Sequence, residues 1–282
     1  MRRWLVTGAS KGLGRAIAEA ALARGDAVVL AARNPAPVAG LVAQHPDTAR
    51  AVTMDVADAD SRARGVAAAE AAFGGIDVLV NNAGYVVLGA VEEVPPADYR
   101  PVFETNLFGA VEVMRLLLPG MRARRHGRVV SMSAMGGIVA SAGIGYYCAT
   151  KFALEAVSEA VAAEVASLGI KVTIVEPGNF RTEVIRARVV GGRREPDYDE
   201  TAGPLLRRFA GAHGTQPGDP RRLAAAVLAV VDMPEPPLRL PLGQDAVTRI
   251  REKLARVERD VAAAEAVAVA TAFGDAGGTR PA

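Results

Sequence analysis

Short, continuously apolar runs alternate with longer Ala-rich amphipathic stretches through the first two thirds of the chain. The runs are Trp4 to Val6, Ala27 to Ala32, Ala51 to Met54, Ile76 to Val80, Arg128 to Met132, Lys171 to Val175 and, after a gap, Leu238 to Leu242. They lack strict in–out alternation, as strands do when both faces of a parallel sheet are covered. Between them, helical spacing predicts helices over 12–24, 58–73, 97–121, 147–168 and 219–231, with a helix over 35–45 interrupted by Pro35, Pro37 and Gly40. Strand and helix in turn predict an α/β fold: a doubly wound parallel seven-stranded sheet with helices on both faces, in one domain with a C-terminal helical extension.

Two regions break the pattern. Residues 179–217, with Gly191-Gly192, Pro196, Gly203-Pro204 and Gly214, read as a long, partly helical insertion of the kind that forms binding loops or lids. A last helix over 244–272 runs into Gly274-Asp275-Ala276-Gly277-Gly278, which reads as a frayed tail. The expected organisation is therefore a core over 1–243, carrying the 179–217 insertion, and a C-terminal helix and tail over 244–282.

With 282 residues and 50% apolar content, the chain can bury one large core. Its 33 basic and 31 acidic residues leave a net charge of +2, which calls for neither nucleic acid nor an anionic membrane as partner. The basic run Arg122, Arg124, Arg125, His126 and Arg128 sits at an expected helix end, where cations complement the helix dipole and face water. One cysteine, Cys148, permits no internal disulfide, no apolar stretch is long enough to span a membrane, and no signal-peptide layout precedes Trp4. A cytoplasmic protein is expected. His45, His126 and His213 lack metal-ligand spacing, so no metal is expected. Of the cations 29 are Arg and 4 are Lys, which makes each Lys informative.

After the first strand comes Thr7-Gly8-Ala9-Ser10-Lys11-Gly12-Leu13-Gly14, followed at once by a helical pattern. Glycines there permit a tight turn and let the N–H groups at the helix start approach a pyrophosphate, which the positive end of the helix dipole favours. A carboxylate at the end of the second strand would bind ribose hydroxyls and repel a 2′-phosphate; this chain has Ala31-Ala32-Arg33 instead. Arg33 offers a fork of donors to such a phosphate, and Lys11 adds a second charge. Tyr147 and Lys151 stand four residues apart at the start of an expected helix, hence on one face. A phenol working near neutrality must fall about three units from a reference pKa near 10, roughly 4 kcal/mol. An ammonium some 4–5 Å away supplies about 3–4 kcal/mol at an effective dielectric near 20, so the cation nearly suffices.

The TGxxxGxG loop, Asn81-Asn82-Ala83-Gly84 and Tyr147-Cys148-Ala149-Thr150-Lys151, in this order, resemble the short-chain dehydrogenase/reductase family, and the resemblance runs from residue 4 to about 182. It implies a Rossmann-like fold binding NADP(H), with Gly8, Ser10, Lys11, Gly12, Leu13, Gly14 and Arg33 on the phosphates and Asp55-Val56 at the adenine. It implies that Asn82, Ala83 and Gly84 line the groove, and that Pro177, Gly178, Phe180 and Thr182, with Tyr147 and Lys151, seat the nicotinamide end. In the catalytic set, Tyr147 is the acid/base, Lys151 its cation, Asn106 the support of a water relay, and Ser133 the donor to the substrate oxygen. Ser133 lies fourteen residues before Tyr147, one more than the family spacing. Tyr146 restores that spacing but lacks a Lys four residues on, and Ser131 is the lesser serine candidate.

The reading is an NADP(H)-dependent oxidoreductase interconverting a lipophilic ketone or aldehyde and its alcohol by hydride transfer, as in the hydroxysteroid and retinol dehydrogenase branch that YCATKFALEA resembles. Met135, Ile138, Ile144, Tyr146, Phe180, Val184, Ile185, Val189 and Phe209 supply expected apolar surface. A 3-oxoacyl or other small carbonyl compound is the alternative substrate. A non-redox epimerase or dehydratase and a non-catalytic NADP(H) sensor are the alternative classes. The family resemblance further implies a homodimer or homotetramer through helices 97–121 and 147–168.

Overall fold

The structure, a computed structural model, describes residues 1–182, 189–190, 194–211 and 214–271. Val184, Ile185, Gly191-Gly192, His213 and the tail over 274–278 lie outside the described residues. Seven strands form one parallel sheet: β1 (Arg3–Thr7), β2 (Ala27–Ala32), β3 (Ala49–Thr53), β4 (Val78–Asn81), β6 (Gly127–Met132), β7 (Ile170–Pro177) and β9 (Arg239–Leu242). Their order is β3-β2-β1-β4-β6-β7-β9, so the direction of winding reverses between β1 and β4. Such a reversal opens a crevice beyond the carboxyl ends of the strands, the place where open α/β sheets bind ligands.

Helices cover both faces because the strands are apolar on both. All six residues of β2 are buried. On one face α1 (Gly12–Ala23) and α8 (Pro220–Asp232) pack Ile17, Ala18, Leu223 and Val227 against Trp4, Val6, Val28 and Leu30. On the other, α3 (Ala59–Phe73), α5 (Gly109–Arg124) and α6 (Gly145–Val165) pack Val66, Val113, Leu117 and Val161 against Leu5, Val29, Leu79 and Val129. Each fully buried Leu, Ile or Val in these layers contributes about 1.5–3 kcal/mol. Local signals set the ends: Asp58 accepts from Ser61 N–H to cap α3, Gly74 at φ +75° stops it, and Asp219 caps α8 ahead of Pro220.

The chain departs from the sequence reading in three places. The helix expected over 97–121 is α4 (Pro96–Phe103), a π turn over Glu104–Phe108 and α5, and within that wider turn Asn106 bonds Tyr85 and Thr150. The interrupted stretch 35–45 is a 3₁₀ turn, Ala36–Val38, and the short α2 (Ala39–Gln44). The insertion carries α7 (Gly203–Gly211), and a second small sheet pairs β5 (Val87–Leu88) with β8 (Val189–Val190) in parallel. The last helix, α9 (Gln244–Val269), matches its expected start. Among the described residues no helix is long and apolar enough to cross a membrane, and no cluster of His, Cys, Asp and Glu could hold a metal.

Candidate active site

The cleft begins at the turn between β1 and α1. Gly8 at φ +65° and Gly12 at φ +60° take conformations that side chains resist. A Cβ on Gly14 would collide with Asn82 Nδ2 and stand 2.8 Å from Gly8 O. Asn82 fixes the turn by donating to Thr7 O at 2.9 Å and Gly8 O at 3.2 Å, and Thr7 Oγ1 accepts from the N–H groups of Asn82 and Ala83. Asn82 is thus a brace for the loop. The side chain of Lys11, at the N-cap of α1, makes no capping bond, and the N–H groups of a helix start suit an anion. A cavity of about 750 Å³ opens there, lined by Ser10, Lys11, Gly12, Arg15, Arg181 and Thr182 among others. Arg15, which sequence reasoning overlooked, follows Lys11 by one helical turn and also pairs with Glu19. A backbone cradle that side chains would fill and a ring of cations fit a dinucleotide pyrophosphate.

Arg33 is exposed just past β2, and Asp55 and Val56 follow β3, where Asp55 takes the Ala57 N–H on its carboxylate. Leu13 packs beside the first core layer. From Pro177 and Gly178 at the end of β7 the chain is held by Asp245 in the first turn of α9, whose carboxylate accepts from Asn179 N at 2.9 Å and Asn179 Nδ2 at 2.6 Å. Phe180 bridges to Gly218 and packs on the core, while Thr182, in the cavity's lining, comes within 4 Å of where a Gly12 Cβ would stand.

Gly84 links this cradle to the titratable residues: a Cβ built on it would stand 3.0 Å from Asn106 Oδ1 and 3.7 Å from Lys151 Nζ. Asn106 is fully buried; it accepts from Tyr85 N at 3.0 Å and donates to Tyr85 O at 2.9 Å and Thr150 Oγ1 at 3.2 Å. Lys151 is buried on α6 and donates to Met132 O at 2.8 Å, its Nζ 6.0 Å from the centre of the Tyr147 ring. Burial lowers the Lys151 ammonium to about 8. Tyr147, partly open to solvent, lines its ring against Gly136. Tyr146 stacks on Tyr99 at 4.2 Å and turns its hydroxyl to Val91 O, so it is spoken for elsewhere.

Desolvation raises the Tyr147 phenol above its ordinary value, and Lys151, itself desolvated, donates to Met132 O. Ser133 is buried just past the end of β6. Its Oγ donates to Glu155 Oε1 at 2.5 Å, and Ser131 is bonded to Ser158.

Glu155 is the group the sequence reading missed. It follows Lys151 by one turn and is buried with Glu176 of β7. Arg239 of β9 bonds Glu155, Glu176 Oε1 at 2.9 Å and Glu159 Oε2 at 2.8 Å. Burial raises both buried carboxyls, Glu176 to about 7. A Tyr-Lys-Glu stripe at four-residue steps was the available signal; Glu176 and Arg239, on distant strands, had none.

The arrangement can hold an anionic dinucleotide and, at its far end, give and take a proton. A sequence model described as short chain dehydrogenase matches residues 2–189. Oxidoreductase BOA17 of Botryotinia fuckeliana is 38% identical over 245 residues, 86% of this chain and 89% of its own. A 3-ketodihydrosphingosine reductase of Bacteroides thetaiotaomicron is 34% identical over 247 residues, covering 85% and 87%. The crystal structure of a short-chain dehydrogenase from Streptomyces avermitilis superposes with a TM-score of 0.91 at 45% identity, covering 96% of this chain and 98% of that one.

Proposed function

Because the chain belongs to the short-chain dehydrogenase/reductase family, whose members use nicotinamide cofactors, we propose that this oxidoreductase interconverts a lipophilic ketone or aldehyde and its alcohol with NADP(H), using Tyr147 as the proton donor and acceptor. One observation carries the reading. The phosphate cradle and the Tyr147–Lys151 pair are joined through Asn82, Ala83 and Gly84, so a dinucleotide seated on the Gly loop has its far end beside the phenol.

When bound, the nicotinamide supplies or accepts hydride. The protein's part is to hold it and to manage the proton. Gly8, Ser10, Gly12, Leu13 and Gly14 cradle the phosphates, Lys11 and Arg33 favour a 2′-phosphate, and Asp55 and Val56 border the adenine. Asn82 braces the loop, and Ala83, Gly84, Pro177, Gly178, Phe180 and Thr182 shape the nicotinamide end. Desolvation keeps Tyr147 protonated at rest, which suits it to donate to a carbonyl oxygen as negative charge develops there. Lys151, at about 8, is poised to return that proton, and Asn106 holds the π turn against Tyr85 and Thr150 beside it. Ser133 acts here as a positioning residue through Glu155, since its hydroxyl is already given to that carboxylate.

A lipophilic substrate fits the partly exposed Met135 and Ile138 beside Gly136 and the Tyr147 ring, and a relative is named as a 3-ketodihydrosphingosine reductase. A homo-oligomer through α5 and α6 is supported by Phe108, Leu116 and Phe152, which stay exposed on this side. The test is the loss of NADPH absorbance with a panel of long-chain ketones and aldehydes, run against NADH and small 3-oxo compounds. Turnover with NADPH and a lipophilic carbonyl is expected. Nucleotide binding with no turnover of any carbonyl would make the protein a sensor.

A further inference from the structure

The apolar stripe that roots α9 on the body continues past the body's edge with none of the described residues over it. Ala246 and Ile250 are buried against Met135, Ile138 and Val139. At the 3.5-residue spacing of a two-stranded seam the stripe goes on through Leu254, Val257 and Val261, then Ala264 and Ala268. Leu254 is 57% exposed, Val257 40% and Val261 60%, and every described residue from Leu254 to Thr271 is exposed. At about 1.5 Å per residue, the second half of this 26-residue helix projects on the order of 20 Å from the body.

The charges beside the stripe indicate what covers it. On its two flanks stand Arg251 and Lys253 toward the root, and Glu258, Asp260 and Glu265 toward the tip. Such a gradient complements itself when a second copy of the helix runs the other way. About a crossing at Leu254 and Val257, Arg251 meets the partner's Glu258 and Lys253 meets the partner's Asp260, each twice by two-fold symmetry. A parallel pairing also brings Lys253 to Glu258, but it sets Asp260 against Glu265. Antiparallel helices also oppose their dipoles.

We propose that a second copy of this chain covers the exposed stripe, the two α9 helices crossing antiparallel at Leu254 and Val257, as an interface distinct from the α5–α6 surface. The test uses the full chain and reads proximity, so an assembly held elsewhere does not mask the result. Leu254→Cys and Val257→Cys chains are mixed and mildly oxidised at a concentration where the parent, whose one thiol Cys148 is buried, forms no disulfide. Mixed dimers, in which one Leu254→Cys chain is disulfide-linked to one Val257→Cys chain as identified by mass, are expected, and Val261→Cys alone should stay monomeric on a denaturing gel. Adding Arg251→Glu and Lys253→Glu to both chains should cut the yield severalfold, and further adding Glu258→Arg and Asp260→Lys should restore it. Absence of mixed dimers, a Val261→Cys homodimer, or a yield indifferent to the charges would each overturn the proposal. All of these positions but the half-buried Lys253 are exposed, so unchanged thermal melting serves as the check that the variants fold.

Discussion

The phosphate end of the cleft is made of backbone and glycine, whereas the proton-handling end is made of buried and half-buried side chains gathered from α6, β7 and β9. At the first, Gly8, Gly12 and Gly14 owe their place to conformation and to the absence of a Cβ, so function is set by spacing along ten residues of chain. At the second, Tyr147, Lys151, Glu155, Glu176 and Arg239 are set by what burial does to each and by which neighbour takes which proton. Added volume is expected to do most harm at the first end, and altered charge at the second. That contrast can be broken by substitution at either end.

The largest effect is expected at the phenol. Tyr147→Phe keeps the ring against Gly136 and removes the proton, so turnover should fall about 10²–10⁴-fold while NADPH binding, measured by fluorescence, stays within a few-fold. Ser133→Ala provides the comparison: it leaves Glu155 with Arg239 and should cost far less turnover than the tyrosine change. A Ser133→Ala enzyme as dead as Tyr147→Phe would return Ser133 to the substrate oxygen.

Next comes volume at the other end. Gly14→Ala adds a single methyl group, yet that group displaces Asn82 Nδ2 from Thr7 O and Gly8 O. A loss of about 2–4 kcal/mol in stability by denaturant titration is expected, along with weakened nucleotide binding. A neutral result would mean that Asn82 does not brace the loop.

What could be read from the sequence follows the same division. Strand runs such as Ala27–Ala32 and the Gly loop were legible because their information is local: a period, a spacing, a strand before and a helix after. The π turn at Glu104–Phe108 was not, since the residues around Asn106 keep helical spacing on either side of the extra-wide turn. The same holds for Ser133, whose strand and position were read correctly but whose hydroxyl answers to Glu155, twenty-two residues on. Arg239 belongs to the run Leu238–Leu242, and nothing in that run says that its side chain reaches back to two buried carboxylates.

A smaller change should alter the choice of cofactor. Replacing Ala32 with Asp and Arg33 with Ala removes a donor to a 2′-phosphate and sets a carboxylate where one would repel it. The ratio of kcat/KM for NADPH to that for NADH should fall by about tenfold or more, roughly 1.4 kcal/mol. An unchanged ratio would place the reading of the phosphate on Lys11 and Arg15 instead.

The smallest effect tests whether burial governs the proton-handling end. Glu176 is held up to about 7 in the folded chain by desolvation and by Glu155, against an ordinary value of 4.5. Between those values the folded state binds more protons than the unfolded one, so the stability owed to this group is complete below about pH 4.5 and is lost as the pH rises to 7. Arg239 offsets part of the cost, and it is about a third exposed, so the loss is expected to be on the order of 1 kcal/mol. Denaturant midpoints taken from pH 4.5 to 8 for the parent and Glu176→Gln should therefore converge or cross as the pH rises, with the parent losing ground, and run parallel above 7. Lys151, lowered to about 8, works in the opposite sense, adding stability from pH 8 upward in both proteins alike, so it drops out of the difference. Parallel curves across the whole range would show that Glu176 is ionised at its ordinary value, and that Arg239, rather than desolvation, sets the charge behind the Tyr147–Lys151 pair.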